Sequence, residues 1–295
     1  MQILRNSSAV RAWIGEHRRK GQRIGFVPTM GNLHAGHYSL VSEARRRADV
    51  AIASVFVNPT QFGPNEDLAR YPRTPDADAD GLVAAGCDAL FMPGVEEIYP
   101  QGIEHAVRIH VPGISDVLEG AIRSHHFDGV ASVVARLFNL VQVDLAVFGQ
   151  KDFQQLLVIQ RMVSDLSFPL DVIAAPTVRE ANGLAMSSRN QYLTSEQRSQ
   201  AGAIHATLRW MREQILDRGP SDIEFIETAA TDRLKSSGFE VDYSVLRRAT
   251  DLNFVGVDST EGLVALIAVR LGATRLIDNM LIDRKFGGRT PITDT

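Results

Sequence analysis

Cysteine is nearly absent from this sequence, which contains only Cys87. A single cysteine forms no intramolecular disulfide and supplies no cysteine-based zinc site, so redox chemistry at a dithiol is disfavoured. Long apolar runs are missing too. The first ten residues lack the apolar core of a signal peptide, and residues 263–269 are too few to span a bilayer. We therefore expect a cytoplasmic protein with no membrane segment.

An excess of basic charge is also missing, since 31 lysines and arginines stand against 35 aspartates and glutamates. A nucleic-acid-binding protein normally carries a basic stripe, so no nucleic-acid partner is expected. The P-loop pattern and the Gly-x-Gly-x-x-Gly dinucleotide pattern do not occur. Any nucleotide must therefore be bound by another kind of loop.

The 295 residues are enough for two domains, and the first part of the chain alternates apolar runs with amphipathic helical patterns. The runs that predict strands lie at residues 23–28, 50–57, 89–92, 144–148 and 171–175. Strands separated by helices form parallel sheets with right-handed crossovers. We predict an α/β first domain over residues 1–182, with a Rossmann-like, doubly wound sheet that binds ligands at the carboxyl ends of its strands.

The pattern changes after residue 182. Thr194 and Gln197 match a capping box before what the sequence predicts as one long amphipathic helix, and residues 240–282 are mainly strand-like. The inward positions of that helix are Ile204, Leu208, Met211 and Ile215. We predict a smaller α+β domain over residues 183–295, and we expect it to close over ligands bound to the first domain.

A strand-to-helix turn carries the strongest chemical signal, PTMGNLHAGH at residues 28–37. Gly31 and Gly36 allow tight turns or close approach to a ligand. His34 and His37 lie three residues apart at a helix start and project to one side. A helix N-terminus already offers free N–H groups and positive partial charge, so the two imidazoles complete a phosphate site. A tight turn with two ordinary surface histidines is the alternative, and we favour the phosphate site.

Two polar loops follow other predicted strands. In FVNPTQFG, the amide of Gln61 can donate to and accept from a substrate with hydroxyls and a carboxylate. Taken alone, that segment is better explained as an Asn-Pro turn. In FGQKDFQQ, Lys151 can place a charge on a phosphate and Asp152 can hold ribose hydroxyls. Asp152 and Gln155 also fit a capping box, which needs no ligand, and both interpretations stay open at this point.

Two more segments carry candidate residues. REANGLAMSSRN lies at the predicted domain junction, where two hydroxyls and a guanidinium suit the phosphates of a nucleotide. A polar interdomain linker is the alternative interpretation. In RSHHFDG, Arg123 offers an anion contact, and Asp128 is predicted to be the N-cap of the next helix.

Together these segments resemble the pantothenate synthetase, or pantoate–β-alanine ligase, family. The matching blocks, in order, are PTMGNLHAGHYSL, FVNPTQFGPNEDLARYPRT, HHFDGVASVV, FGQKDFQQL and VREANGLAMSSRNQYL. A His-x-Gly-His loop alone indicates only the wider nucleotidyltransferase superfamily, whereas five blocks in one order are specific. The resemblance implies a homodimeric ligase that joins pantoate to β-alanine with ATP and Mg²⁺. It also implies an enzyme-bound pantoyl adenylate and the release of pyrophosphate and then AMP.

The resemblance also implies roles for individual residues. The catalytic residues, which contact the ATP phosphates, would be His34, His37 and Lys151. The remaining ATP contacts would be Met30, Gly149, Asp152, Val178, Met186, Ser187, Ser188 and Arg189. Pantoate would be bound by Gln61, Gln155, Met30 and Asn58, with Tyr71, Arg123 and His126 around the two substrates. The candidate metal ligand is Asp78, although Ala77 stands where the family commonly has a second aspartate of a pair.

Two other classes of function stay open. A nucleotidyltransferase acting on a phosphorylated acceptor would use the same histidine motif but would release no AMP. A non-catalytic nucleotide-binding module would bind ATP without releasing pyrophosphate. A metallohydrolase is a weaker third hypothesis, and its ligands would be His34, His37, His125 and His126.

Overall fold

The computed structural model describes residues 1–63, 68–256 and 261–283. The chain forms two compact units. The first contains Met1–Glu180 and Ala185–Ser188, and the second contains Ala181–Leu184 and the described residues from Arg189 onward. The segment Ala185–Ser188 therefore groups with the first unit, although it follows the predicted boundary at residue 182.

The first unit is built on a six-stranded sheet in the order β1-β4-β3-β2-β5-β6, and every neighbouring pair is parallel. Its strands are β1 (Gln2–Leu4), β2 (Ile24–Thr29), β3 (Val50–Val55), β4 (Ala89–Phe91), β5 (Leu145–Gly149) and β6 (Asp171–Ala175). Its helices are α1 (Ser7–Arg19), α2 (Ala35–Arg47), α3 (Pro75–Ala84), α4 (Val95–Ile98), α5 (Glu119–Ile122), α6 (His126–Val141) and α7 (Phe153–Asp165). The predicted doubly wound α/β fold is confirmed.

The order of the strands determines where a ligand can bind. The chain runs outward from β2 through β3 to β4 on one side of the sheet, and it continues with β5 and β6 on the other side. In open parallel sheets, ligands bind at the carboxyl ends of the strands where the order reverses. Here that point lies between β2 and β5, so the loops that follow Thr29 and Gly149 are neighbours.

The predicted start of α6 was wrong. This helix begins at His126, and its N-cap is His125, whose φ of 63° is left-handed. Asp128 therefore lies in the first turn and not at the cap. Its carboxylate accepts hydrogen bonds from His110 Nδ1 (2.8 Å) and His125 Nδ1 (3.3 Å). An acidic side chain in the first turn still interacts favourably with the helix dipole.

The second unit packs helices against a three-stranded antiparallel sheet in the order β7-β8-β9. Its elements are α8 (Ser195–Gln200), α9 (Gly202–Arg218), α10 (Ile223–Ser236), β7 (Glu240–Arg248), β8 (Leu263–Leu271) and β9 (Thr274–Ile282). The predicted α+β character is confirmed, and the four predicted inward positions of α9 are buried.

The capping box of Thr194 and Gln197 is also confirmed, but it caps the short α8 rather than one long helix. The helices α8 and α9 are separated at Ala201. A Cβ on Gly202 would lie 2.7 Å from the Asn182 carbonyl oxygen, so the glycine allows that backbone to approach closely. In the described part of the chain, no helix combines the length and apolarity that crossing a membrane requires.

Gly129 lets α6 pack directly on the backbone of the 3₁₀ turn Pro59–Gln61. A Cβ at this position would lie 2.4 Å from the Thr60 carbonyl oxygen and 2.8 Å from Gln61 Cα. The Gly129 carbonyl oxygen in turn accepts from Asn58 Nδ2 (3.2 Å). Helix α6 and the turn that carries Gln61 therefore form one packed structure.

We expect Gly129→Ala to lower the free energy of unfolding by about 1–3 kcal/mol, because the added methyl group meets backbone atoms that must move. The matched control is Gly15→Ala in α1, where a Cβ would meet no heavy atom within 4 Å. That control should raise stability by about 0.5–1 kcal/mol, as alanine usually does within a helix. Urea denaturation of both variants measures the difference, and equal midpoints would contradict the packing argument.

Candidate active site

The segment that joins β2 to α2 and includes the first residues of α2, residues 30–37, is here called the histidine loop. His34 is the N-cap of α2, and the Gly36 N–H donates to His34 Nδ1 (3.1 Å). The His34 N–H in turn donates to His37 Nδ1 (3.3 Å). The two imidazoles thus form a reciprocal capping box, in the positions where Ser or Thr and Glu or Gln are usual.

This capping box determines which nitrogen of each ring carries the proton. A backbone N–H can only donate, so Nδ1 of His34 and of His37 must present a lone pair. In a neutral imidazole the proton then lies on Nε2, which makes Nε2–H a donor. Gly36 makes room for this arrangement, because a Cβ there would lie 2.9 Å from His34 Cε1.

Electrostatics keep both rings neutral at physiological pH. Burial, together with the nearby Lys151 ammonium, lowers the pKa of His34 to about 4. Burial, together with the neighbouring His34, lowers the pKa of His37 to about 3. The ring centroids are 4.1 Å apart, so two positive charges here would repel each other strongly. The site therefore presents two neutral N–H donors.

The backbone before the histidines adopts an unusual conformation. Gly31 and Asn32 both have positive φ angles, 85° and 51°. The Asn32 N–H donates to Asp78 Oδ2 (3.0 Å), and the Leu33 N–H donates to Asp78 Oδ1 (2.7 Å). The carbonyl oxygen of Asn32, which belongs to the same peptide group as the Leu33 N–H and points the other way, accepts from the Ser188 hydroxyl (3.1 Å). The loop is thus held from both sides.

Residues 58–61, here called the glutamine loop, bring two of the predicted pantoate residues together with Met30. The Gln61 side chain donates through Nε2 to Met30 Sδ (3.1 Å), and its Oε1 accepts from Asn58 Nδ2 (3.1 Å). These contacts use one of the two N–H groups on Nε2 and one of the two lone pairs on Oε1, so a second donor and a second acceptor remain. Gln61 can therefore still bind a ligand.

Asn58 is different, because its side chain is 1% exposed and fully engaged within the protein. Its Nδ2 donates to Gln61 Oε1 and the Gly129 carbonyl oxygen, while its Oδ1 accepts from the Tyr99 hydroxyl (2.7 Å) and Thr60 Oγ1 (3.0 Å). Sequence reasoning missed Tyr99, Thr60 and Gly129. No local pattern identifies Tyr99, which meets this loop only through the fold.

The residues expected around the two substrates surround the glutamine loop. His126 Nδ1 donates to the Gln61 carbonyl oxygen (2.8 Å), and Arg123 Nη1 donates to His126 Nε2 (3.0 Å). The ring of Tyr71 packs edge-on against Phe62, with centroids 5.7 Å apart. His126 and Tyr71 therefore lie beside the loop that carries Gln61.

Residues 150–152, here called the lysine loop, follow β5. Asp152 occupies the N-cap position of α7, but its side chain makes no capping hydrogen bond. The capping-box interpretation of Asp152 and Gln155 is therefore wrong. The Lys151 ammonium lies 3.7 Å from the Asp152 carboxylate. Lys151 also contributes to lowering the pKa of both histidines, which shows that its charge acts on the histidine loop.

The junction segment returns to the first unit through a short hairpin-like loop. Arg179 and Ala185 form an isolated antiparallel bridge, and the Met186 N–H donates to the Val178 carbonyl oxygen (2.9 Å). This pairing brings Met186 close to the histidine loop, since a Cβ on Gly36 would lie 3.6 Å from Met186 Cβ. Ser187 and Ser188 follow in the first unit, and Arg189 belongs to the second.

Asp78 does not fit the expected metal site. It is 2% exposed, and both its carboxylate oxygens accept hydrogen bonds, from the Asn32 and Leu33 N–H groups and from Thr74 Oγ1 (3.1 Å). Among the described residues, no group of three histidine, cysteine, aspartate or glutamate side chains is placed to hold a metal ion. The metallohydrolase hypothesis, with four histidine ligands, therefore has no geometric support.

Comparisons with known proteins identify the family of this chain. The model of the pantoate-beta-alanine ligase family matches residues 2–281. A pantothenate synthetase of Xanthomonas euvesicatoria pv. vesicatoria is 56% identical over 280 residues, covering 95% of this chain and 99% of that protein. A pantothenate synthetase of Stenotrophomonas maltophilia is 56% identical over 282 residues, with the same coverage.

Solved structures give the same result. The pantothenate synthetase of Thermus thermophilus is 45% identical with a TM-score of 0.87, covering 95% of this chain and 99% of that one. The Francisella tularensis pantoate-beta-alanine ligase, complexed with beta-gamma ATP and beta-alanine, is 34% identical with a TM-score of 0.76, covering 95% and 97%. By its family model, its close relatives and its fold, this chain belongs to the pantoate–β-alanine ligase family.

Proposed function

We propose that this protein joins pantoate to β-alanine with ATP, through an enzyme-bound pantoyl adenylate, and releases pyrophosphate and AMP. The observation that carries the proposal is the pair of neutral Nε2–H donors beside Lys151, at the carboxyl ends of β2 and β5. The ATP and β-alanine bound to the Francisella tularensis relative support it. Assembly as a homodimer is part of the proposal, because the family resemblance implies it.

In the first step, a pantoate carboxylate oxygen attacks the α-phosphorus of ATP. The new P–O bond forms as the bond to the bridging oxygen breaks, and pyrophosphate leaves. Both reactants are anionic, so the protein must align them and stabilise the charge that develops on the leaving group. Two imidazole N–H donors and the Lys151 ammonium suit that task, and Ser187, Ser188 and Arg189 are further proposed phosphate contacts.

The rest of the nucleotide and pantoate are assigned to different sets of residues. Gly149 and Asp152, at the end of β5, together with Val178 and Met186, are proposed to hold the ribose and adenine. Gln61, Gln155 and Met30 are proposed to bind pantoate, and Asn58 acts on that substrate by fixing the Gln61 amide. Mg²⁺ is proposed to arrive bound to ATP, as part of the substrate.

In the second step, the neutral amine of β-alanine attacks the acyl carbon of the adenylate. The C–N bond forms, the C–O bond to the phosphate breaks, the nitrogen gives up one proton, and AMP leaves. A mixed anhydride of this kind hydrolyses when water reaches it, so the site must exclude water between the two steps. No covalent enzyme nucleophile is required.

The products distinguish this proposal from its rivals. We expect pyrophosphate release from MgATP to be sustained only when both pantoate and β-alanine are present, with AMP and pantothenate formed in equal amounts. A transfer of AMP to a phosphorylated acceptor without release of AMP would support the nucleotidyltransferase hypothesis. Binding of ATP without pyrophosphate release under any of these conditions would favour a binding module.

Gln61→Ala should raise the KM for pantoate by about 10–100-fold, the usual effect of losing one hydrogen bond to a charged group. The KM for ATP should stay unchanged, because the residues proposed to contact the ATP phosphates lie outside the glutamine loop. Gln101→Ala is the control, since Gln101 is exposed and lies outside the site. Steady-state kinetics with each substrate varied in turn make the measurement. An unchanged KM for pantoate would contradict the assignment of this loop.

His34 and His37 should both remain neutral, with the proton on Nε2, from about pH 8 down to about pH 5, because their pKa values are about 4 and about 3. His110 is the internal reference, since its hydrogen bond to Asp128 raises its pKa and it should take up a proton first on acidification. Two-dimensional ¹H–¹⁵N spectra of the imidazoles report both tautomer and charge. Protonation of either loop histidine above about pH 6 would contradict the argument.

The same shifts have a consequence for stability. The unfolded imidazoles take up protons near the ordinary pKa of 6.5, whereas in the folded protein His34 has a pKa of about 4 and His37 a pKa of about 3. Stability from this source is therefore complete above pH 6.5 and decreases as the pH falls towards 4. Chemical denaturation across that range should show a smaller slope for His37→Gln than for the parent protein.

A further inference from the structure

We propose that Asp78 is a positioning residue for the histidine loop, and that its carboxylate binds the backbone of this loop instead of a metal ion. The inference rests on the proposed function, because the histidine loop is there assigned to the phosphates of ATP. It adds a role for a residue on α3, which is remote in sequence from the loop that it holds.

The carboxylate occupies a binding site made of backbone. Gly31 and Asn32 have positive φ angles, and in that conformation the successive N–H groups of Asn32 and Leu33 point to the same side. Such a concavity of N–H groups binds anions. Each oxygen of Asp78 accepts one of these N–H groups, at 3.0 Å and 2.7 Å. A side chain of this chain therefore takes the place of a bound anion.

Asp78 is itself held in one position. Its backbone N–H donates to the Thr74 carbonyl oxygen (2.8 Å), and its Oδ1 accepts from Thr74 Oγ1 (3.1 Å). A Cβ on Gly31 would lie 3.0 Å from Asp78 Oδ2, so the glycine permits this close approach. The first turn of α3 therefore acts as a fixed support for the loop.

The contact with Asp78 affects the positions of both imidazoles, because only a short length of chain separates them. Leu33 directly precedes His34, whose N–H donates to His37 Nδ1 and whose own Nδ1 accepts from Gly36. If the Leu33 peptide moves, the N-cap of α2 and both rings move with it. The Ser188 hydroxyl holds the Asn32 carbonyl from the other side, so Asp78 is the support that remains if Ser188 turns towards a phosphate.

Asp78→Asn is the sharpest test, because it keeps the shape but replaces one accepting oxygen with an NH₂ group that faces a backbone N–H. We expect kcat for pyrophosphate release to fall about 10²-fold, as for a misplacement of about 1 Å in a catalytic group. Hydrogen exchange in peptides that cover Asn32 and Leu33 should accelerate about tenfold, since one hydrogen bond is lost. The Mg²⁺ concentration for half-maximal activity should stay unchanged.

The matched control is Asp80→Asn, on the same helix but exposed, which should match the parent protein in all three measurements. If Asp78 is instead a metal ligand, the variant will need more Mg²⁺, excess Mg²⁺ will restore activity, and exchange at Asn32 and Leu33 will not change. That result would overturn the proposal, as would an Asp78→Asn protein that behaves like the control.

If Asp78→Asn does not fold, Thr74→Val replaces it, because that change removes only the hydroxyl that holds Asp78 Oδ1. Faster exchange at Asn32 and Leu33 with lower kcat is then expected, and unchanged exchange overturns the inference. If the parent protein and Asp80→Asn release no pyrophosphate, the proposed function fails, while the exchange measurement still tests the contact itself.

Discussion

The chemistry of this site depends on two backbone N–H groups that donate to ring nitrogens at the start of α2. Because His34 and His37 accept at Nδ1, each ring presents its proton at Nε2, and burial beside Lys151 prevents a second proton from binding. The helix cap thus sets the tautomer of both rings, and burial keeps them neutral. Without the cap, each ring would be free to adopt either tautomer.

The surrounding structure maintains this arrangement by burying polar groups that satisfy one another. Asn58, Tyr99 and Thr60 fix the Gln61 amide, and Asp78 fixes the peptide groups before His34. Buried hydrogen-bonded groups are costly to rearrange, because each broken bond leaves a polar atom without water. Buried polar contacts therefore hold the loops of this site in place, whereas apolar contacts hold the core.

The sequence predicted those features that depend on local pattern. Apolar runs and helical periodicity predicted the parallel sheet, and the spacing of His34 and His37 predicted their position at a helix start. Sequence pattern failed for two aspartates: Asp128 bonds to the distant His110 instead of capping α6, and the Asp152 side chain does not cap α7. Tyr99 and Asp78 reach their loops only through the fold, so no motif of adjacent residues encodes their roles.

Because Ala185–Ser188 returns to the first unit, the protein cannot be divided simply into an N-terminal and a C-terminal fragment. The chain passes from one unit to the other three times near residues 180–189, so no single cut separates two autonomous folding units. A fragment that ends at residue 182 would lack the Ala185 partner of Arg179 and the hydroxyl that holds Asn32. Exchanging C-terminal domains between relatives at that point would separate Arg179 from Ala185 and Asn32 from Ser188, whereas a junction after Ser188 keeps both contacts together.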